Sequence, residues 1–229
     1  MTRIGLIGGM SWESTSIYYS LLNRLTAERF GAWRQPLVLI DSLNFQEIVA
    51  LQASNDWDAT GELLVDSAQR LERAGASVLA IAANTMHMNY DVVNNSVSLP
   101  VIDIRDAILQ ELRARGSTAL SLLGTKYVME NDFFASYLRA EGIRVVVPDD
   151  AAIEELHQII FGELTRGIVT QASRERFIEI ADQCRHAGGD VVGLCCTEFG
   201  MLIDESRAPF ACIDSTIAHV NALLSFHDG

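Results

Sequence analysis

Gly5-Leu6-Ile7-Gly8-Gly9-Met10-Ser11-Trp12-Glu13-Ser14-Thr15 carries the clearest fold signal in the chain. An apolar run breaks on two glycines, and a serine then precedes a segment of helical periodicity. This is the pattern of a buried strand, a tight turn and a capped helix start. The strand half returns later as Ser121-Leu122-Leu123-Gly124-Thr125-Lys126. Gly75-Ala76-Ser77-Val78 returns in pattern as Gly188-Gly189-Asp190-Val191, and Ile102-Asp103 returns as Ile213-Asp214. The spacing between copies stays at about 111 to 116 residues, close to half of the 229-residue chain, which is the mark of a duplicated unit.

Working outward, eight β-rich apolar runs alternate with amphipathic stretches. The strands are expected at Arg3–Gly8, Leu37–Ser42, Ser77–Ala82, Val101–Ile104, Ala119–Gly124, Arg144–Val147, Asp190–Cys195 and Ala211–Asp214. Helices are expected at Glu13–Arg29, Thr60–Ala74, Ala107–Arg115, Phe133–Glu141, Ile153–Leu164, Gln171–Ala187 and Thr216–Leu224. Most of the strand runs lack polar alternation, as strands covered on both faces do. The fold class is therefore α/β, with two pseudo-symmetric three-layer α/β domains and mostly parallel sheets.

The repeat also sets a register for chemistry. Eight residues on from Gly75 lies Ala83, and eight on from Gly188 lies Cys196. Both positions fall just past the C-terminal end of a strand, where open α/β sheets bind ligands. Halves that face each other would place 83 and 196 on opposite walls of one cleft.

Composition narrows the partners. The formal net charge is −13, and the 17 basic residues form no stripe, so nucleic acid is not an expected partner. No apolar run is long enough for a membrane span. The chain opens directly into a strand pattern, so no signal peptide is expected and the expected location is cytoplasmic. The four cysteines, Cys184, Cys195, Cys196 and Cys212, fit neither a zinc spacing nor a disulfide framework, and no metal site is expected. The glycines after the first strand do not follow G-x-G-x-x-G, and no P-loop is present. Lys126, the only lysine, lies on a turn, which gives a pyridoxal Schiff base little support.

Three turns carry candidate chemistry. In Gly8-Gly9-Met10-Ser11 the helix start offers N–H donors to an anion, or is simply a tight connection. In Ala83-Asn84-Thr85-Met86-His87, Asn84 and Thr85 are helix caps or substrate donors, and His87 reads as structural. In Gly193-Leu194-Cys195-Cys196-Thr197-Glu198, a thiol before a helix has its thiolate favoured by the dipole, while Glu198, if close, opposes ionisation. Cys184, Cys195 and Cys212 read as buried hydrophobes, with Cys195 facing away from Cys196. Asp214-Ser215-Thr216 reads as a cap, His157 and His219 as structural or surface histidines, and Gln52 as a residue that follows an apolar helix and could be merely exposed.

Together these segments resemble the aspartate/glutamate racemase family, in its branch of broad or L-selective amino-acid racemases. The resemblance is carried by Ile4–Thr15, Asn84-Thr85-Met86-His87, His157-Gln158-Ile159-Ile160-Phe161 with Glu163-Leu164, Cys196-Thr197-Glu198, and Asp214-Ser215-Thr216 with His219. It implies a first domain of residues 1–98 plus 208–229, to which the last strand and helix return, and a second of 99–207. The active site would lie in the cleft between them. It further implies a homodimer, an amino acid or dicarboxylate as substrate, and no cofactor. In the family two opposed thiols exchange the α-proton from opposite faces. Cys196 matches the second, and Met10, Gln52, Asn84, Thr85, Thr125 and Thr197 would hold carboxylates and amino group.

Where the two-thiol members carry their first cysteine, this chain has Ala83, and Cys195 replaces the usual glycine. The resemblance thus implies a single-thiol variant, whose second face would need a water, Thr85 or His87. A single-cysteine decarboxylase of the arylmalonate type and a non-catalytic amino-acid-binding homologue are the alternatives. In any of the catalytic readings the carbanion needs aimed donors, and Cys196 as a base needs a lowered pKa.

Overall fold

In a computed structural model of the protein, residues 2–206 and 208–227 are described. The chain divides into two compact units, Met1–Asp103 with His219–Gly229, and Ile104–Ala218. The first unit holds β1 (Arg3–Gly8), β2 (Leu37–Ser42), β3 (Val78–Ile81) and β4 (Val101–Ile102), all parallel, in the order β2-β1-β3-β4. The second holds β5 (Ala119–Gly124), β6 (Arg144–Val146), β7 (Val191–Cys195) and β8 (Cys212–Asp214), all parallel, in the order β6-β5-β7-β8. Adding four to each label turns the first order into the second, so the duplication read from the sequence is a duplication of topology.

Burial explains the apolar runs. β3, β5 and β7 are buried throughout, and β1 is buried from Ile4 onward, whereas the edge strand β2 alternates between partial and full exposure. In the first unit Ile7, Leu79 and Ile81 pack on Leu64, Ala68 and Leu71 of helix Trp57–Arg73. Ile4, Leu6 and Ala80 point to the opposite face by strand alternation. Helix Trp12–Phe30 and the C-terminal helix Ser215–His227 belong to that face: the Tyr18 hydroxyl lies 2.8 Å from His219 Nδ1, and His219 Nε2 lies 2.8 Å from the Ile102 carbonyl of β4. A carbonyl only accepts, so His219 carries its proton on Nε2, and Tyr18 donates to Nδ1. Burial holds the ring neutral, with its pKa lowered to about 3.

In the second unit Leu123, Val192, Leu194 and Cys212 pack with Leu156 and Ile160 of helix Asp150–Gly162 and with Phe177 and Ile180 of helix Gln171–His186. Gly75 and Gly188, eight residues before the two turns of interest, both adopt positive φ (87° and 108°) where a helix hands over to a buried strand. That shared turn gives Ala83 and Cys196 the same place in their units.

The expected domain limits need two corrections. β4 pairs with β3 and stays in the first sheet, although residues 99–207 were expected to form the second domain. β8 pairs with β7 through Val192↔Cys212, Gly193↔Ile213 and Leu194↔Asp214, so the last strand does not return to the first domain. The reason is hydrogen bonding. A buried strand needs partners along both edges, and the local fourth strand supplies them in each unit. The division falls instead inside the last helix, after Ala218.

Candidate functional site

The first unit gathers Met10, Gln52, Ala83, Asn84 and Thr85 at the C-terminal end of β1 and β3. β1 ends at Gly8, where Gly9 takes φ +80° and passes so close to Leu43 that an added Cβ would lie 2.3 Å from its carbonyl oxygen. Only glycine permits that approach. A cis peptide bond joins Met10 to Ser11. Ser11 caps the helix as expected, its hydroxyl accepting from Ser14 N at 3.2 Å. The expected donors of this turn are partly used within it: Gly9 N donates to Thr15 Oγ1 at 2.8 Å, and Thr15 N donates to the Ser11 carbonyl at 3.3 Å. These bonds brace a tight βα turn that carries Met10.

Met10 and Ala83 belong to one packed cluster with Ile48 and Met86. Gln52, on helix Phe45–Ala53, is buried rather than exposed, and its amide donates to Met86 Sδ at 3.3 Å. The sequence suggests an apolar helix ahead of Gln52; in the structure Gln52 lies inside it, and Asn44 caps it by accepting from Gln46 N at 3.2 Å. Asn84 and Thr85 are buried at the head of a 3₁₀ turn, Thr85–Asn89. The Asn84 side chain makes no cap hydrogen bond, so the capping alternative falls away. His87 Nδ1 lies 2.9 Å from the Ala83 carbonyl, and its ring stacks on Tyr90 and meets His219 edge-on. His87 holds the turn, as its structural reading required, and this seat argues against it as a substitute base.

In the second unit the turns after β5 and β7 are neighbours, because Gly124 pairs with Cys195. Thr125 caps the short helix Lys126–Glu130, accepting from Val128 N at 3.3 Å. Cys196 and Thr197 follow β7 directly and are both buried. Strand alternation turns Cys195 to the sheet face opposite Cys196, as expected, and burial drives the Cys195 pKa far up. Burial likewise raises Cys184 to about 11 and Cys212 to about 12, which suits core residues.

Cys196 departs from expectation. Its Sγ donates to Glu198 Oε2 at 3.1 Å, and both side chains are buried. Desolvation first, and the Glu198 charge second, push the thiol well above its ordinary range. The following helix, Phe199–Leu202, has only 4 residues, too few for a dipole that offsets those two effects. The lowered pKa expected for a thiolate is thus replaced by a thiol whose proton is held against a carboxylate. Sequence reasoning named Glu198 only as an opponent of ionisation, whereas the geometry makes it the partner of the sulfur. Among the described residues no cluster of His, Cys, Asp and Glu could hold a metal ion, and no helix is long and apolar enough to cross a membrane.

With the two turns placed, similarity to known proteins becomes informative. The model of the Asp/Glu/hydantoin racemase family matches residues 7–223. The chain belongs to that family. It is 24% identical over 227 residues to the broad specificity amino-acid racemase RacX of Bacillus subtilis strain 168, a match spanning 97% of this chain and 96% of that protein. A crystal structure of an aspartate racemase homologue from Pyrococcus horikoshii OT3 superposes with a TM-score of 0.87 at 36% identity, over 100% of both chains. A Yersinia pestis protein crystallised as a candidate Asp/Glu racemase gives 0.90 at 34% identity, again over 100% of both chains. These family members share the α/β fold of two similar units described above.

Proposed function

We propose that this protein is a cofactor-independent amino-acid racemase or epimerase in which Cys196 handles the α-proton on one face of the substrate carbon. The observation that carries the reading is the buried Cys196–Glu198 pair. The pair holds one proton and one negative charge. Moving the proton from Sγ to Oε2 makes a thiolate without adding charge, which is the activation of a nucleophile or base by an adjacent acceptor. The thiolate then removes the α-proton, and the regained thiol can return it to the carbanion. A thiolate of raised pKa is also a stronger base, better matched to a weak carbon acid. Asn84, Thr85 and Thr197 are proposed to hold the carboxylate, where a negative charge develops as the carbon loses its proton. Met10, Gln52 and Thr125 are proposed to complete the substrate contacts.

Ala83 offers no proton on its side. Solvent deuterium should therefore enter the α-position of one enantiomer much faster than the other, as read by proton NMR, and Cys196→Ser should abolish that exchange. Equal exchange of both enantiomers would sink the one-thiol assignment. A second reading is favoured by the same observation: a single resting thiol is also the equipment for protonating a carbanion formed by loss of carbon dioxide. Carbon dioxide release from a panel of malonates, without exchange of any amino acid, would select it.

We propose further that the protein is a homodimer. Trp33 is 97% exposed, and Trp12, Tyr19, Phe30, Leu37 and Ile40 are exposed in the same unit. Trp12, Tyr19 and Phe30 recur along one stripe of their helix, and β2 is an open edge whose backbone groups lack a second strand partner within its sheet. In a chain of net charge −13, the stretch Phe30–Ile40 contains no acidic residue, so two copies can approach there without repulsion.

A further inference from the structure

Helix Gln171–His186 carries Arg174, Arg176 and Arg185. Two of them are committed to ion pairs, Arg176 with Glu155 and Glu179, and Arg185 with Asp182. Arg174 differs. It has no ion-pair partner among the described residues; its Nε donates to the Leu202 carbonyl at 2.6 Å and its Nη1 to the Gln171 side chain at 3.3 Å. A guanidinium presents five N–H donors, and one without a counter-charge suits an anion.

Arg174 also lines a cavity of about 210 Å³, together with Ile178, Gly200, Met201, Ile203 and Asp204. That volume is the share of about 7 water molecules in the liquid, so it suits a ligand of a few heavy atoms. Two carboxylates lie close by, and each is turned to backbone donors. Asp204 Oδ1 accepts from Ser206 N at 2.9 Å. Asp214 Oδ1 accepts from Thr216 N at 2.8 Å and Ile217 N at 3.2 Å, and its Oδ2 lies 3.0 Å from where a Cβ on Gly200 would stand. Their charges restrict an anion there to a single negative charge.

The cavity is linked to the reacting sulfur. One wall is helix Phe199–Leu202, which starts directly after Glu198. Phe199 N donates to the Cys196 carbonyl and Met201 N to the Glu198 carbonyl, both at 3.0 Å. Arg174 holds the carbonyl at the other end of that helix. A carboxylate that draws the guanidinium to itself weakens this hold and frees the short helix to move with Glu198.

We propose that this cavity binds a small monocarboxylate through Arg174, and that binding there loosens the Cys196–Glu198 contact. The site lies wholly within the second unit. Its binding stands apart from the racemase reading, whereas its consequence for α-proton exchange rests on that reading.

The probe is sodium propionate, titrated into the full chain at constant ionic strength and followed by methyl NMR, with sodium chloride and neutral propionamide as controls. Saturable shifts of the Ile178, Met201 and Ile203 methyls are expected with propionate alone. Arg174→Gln should weaken binding by about 10-fold or more, the usual loss of a charge-assisted hydrogen bond. Ile178→Phe, which narrows the cavity and leaves Arg174 in place, should do the same and covers the case of an Arg174 variant that fails to fold. Propionate should also raise the Cys196 thiolate fraction at fixed pH by at least about 2-fold, because Glu198 moves away, and should not do so in either variant. Non-saturating shifts, equal shifts with propionamide, or undiminished binding in both variants would overturn the site. Saturable binding with an unchanged thiolate fraction would overturn the link to Glu198. Binding and a thiol response in a protein that exchanges no amino acid would support the proposal and sink the racemase reading.

Discussion

Replacing Glu198 by glutamine removes the charge but keeps the shape, and so isolates what the carboxylate does to the thiol. In the wild type the Sγ–Oε2 distance is 3.1 Å and both groups are buried. A hydrogen bond to a charged group contributes about 1.5–3 kcal/mol, which is about 1–2 pKa units. Full Coulomb repulsion between a thiolate and a carboxylate at that separation, with an effective dielectric near 20, reaches about 5 kcal/mol, or about 4 units, as a ceiling. Glutamine contributes neither effect, and its amide can donate to a thiolate. The Cys196 pKa should therefore fall by about 1–2 units, and by no more than about 4. It should not fall to that of a free thiol, because desolvation, the larger cause of the raised value, remains.

The assay is the far-ultraviolet thiolate absorbance followed against pH, with Cys196→Ser subtracted to remove the other three cysteines. Exchange activity should move the opposite way, falling by about 100-fold or more, because the thiol proton loses its acceptor. A lower pKa together with a lower rate separates this reasoning from simple pKa matching, in which easier ionisation at neutral pH would speed the reaction. An unchanged or higher thiol pKa in Glu198→Gln would refute the pairing. An unchanged rate would refute the role of the carboxylate as proton acceptor.

Ala83→Cys should supply the missing face and raise racemisation by about 100-fold or more over wild type, read by polarimetry or chiral chromatography; a folded variant with no gain would argue against equivalence of positions 83 and 196. His219 has a folded pKa of about 3 against an ordinary 6.5. Its depressed value means that it contributes stability above about pH 6.5 that is lost as pH falls toward 3, by at most about 5 kcal/mol. Urea titrations across that range should show a shallower loss for His219→Gln than for wild type, and parallel curves would contradict the burial argument. Asp214, raised to about 6 by burial, acts in the opposite sense between its ordinary 3.8 and that value, but it is common to both proteins and cancels in the comparison. Trp33→Glu with Ile40→Lys should convert a dimer to a monomer in sedimentation, and a monomeric wild type would remove the basis of the dimer proposal.

All eight strands were legible, because buried parallel strands leave unbroken apolar runs that no surface requirement interrupts. Arg3–Gly8, Leu37–Ser42 and Ala119–Gly124 match the structure to the residue. The long helices were legible by periodicity to within a few residues. Phe45–Ala53 was legible only as an apolar helix ahead of Gln52, since a short helix running straight on from a strand turn adds too few periods to fix its ends, although its Asn44 cap was a usable signal. Domain membership was misjudged at β4 and β8 because strands of two or three residues carry no mark of which neighbour they pair with. At the turns after β3 and β7, residue type and register singled out Ala83, Asn84, Thr85 and Cys196 as candidates. The burial of Gln52 and the reach of Glu198 depend on where separate elements put two side chains, which no local pattern encodes.

The two equivalent turns differ most in the energy each stores. Around Ala83 the unit packs methionines and an isoleucine beside uncharged polar side chains, so no ion is buried there. Around Cys196 it seals a carboxylate against a thiol, and the effective penalty for a buried ion is several kcal/mol. Fold stability alone gives no reason for that choice, since Leu194 and Phe199 already supply apolar packing next to it and an apolar residue at 198 would avoid the penalty. A proton shared between sulfur and carboxylate does give a reason, because the charge that is costly at rest becomes the acceptor when the sulfur must act as a base. On that argument the buried pair is kept for the proposed proton transfer rather than for the fold.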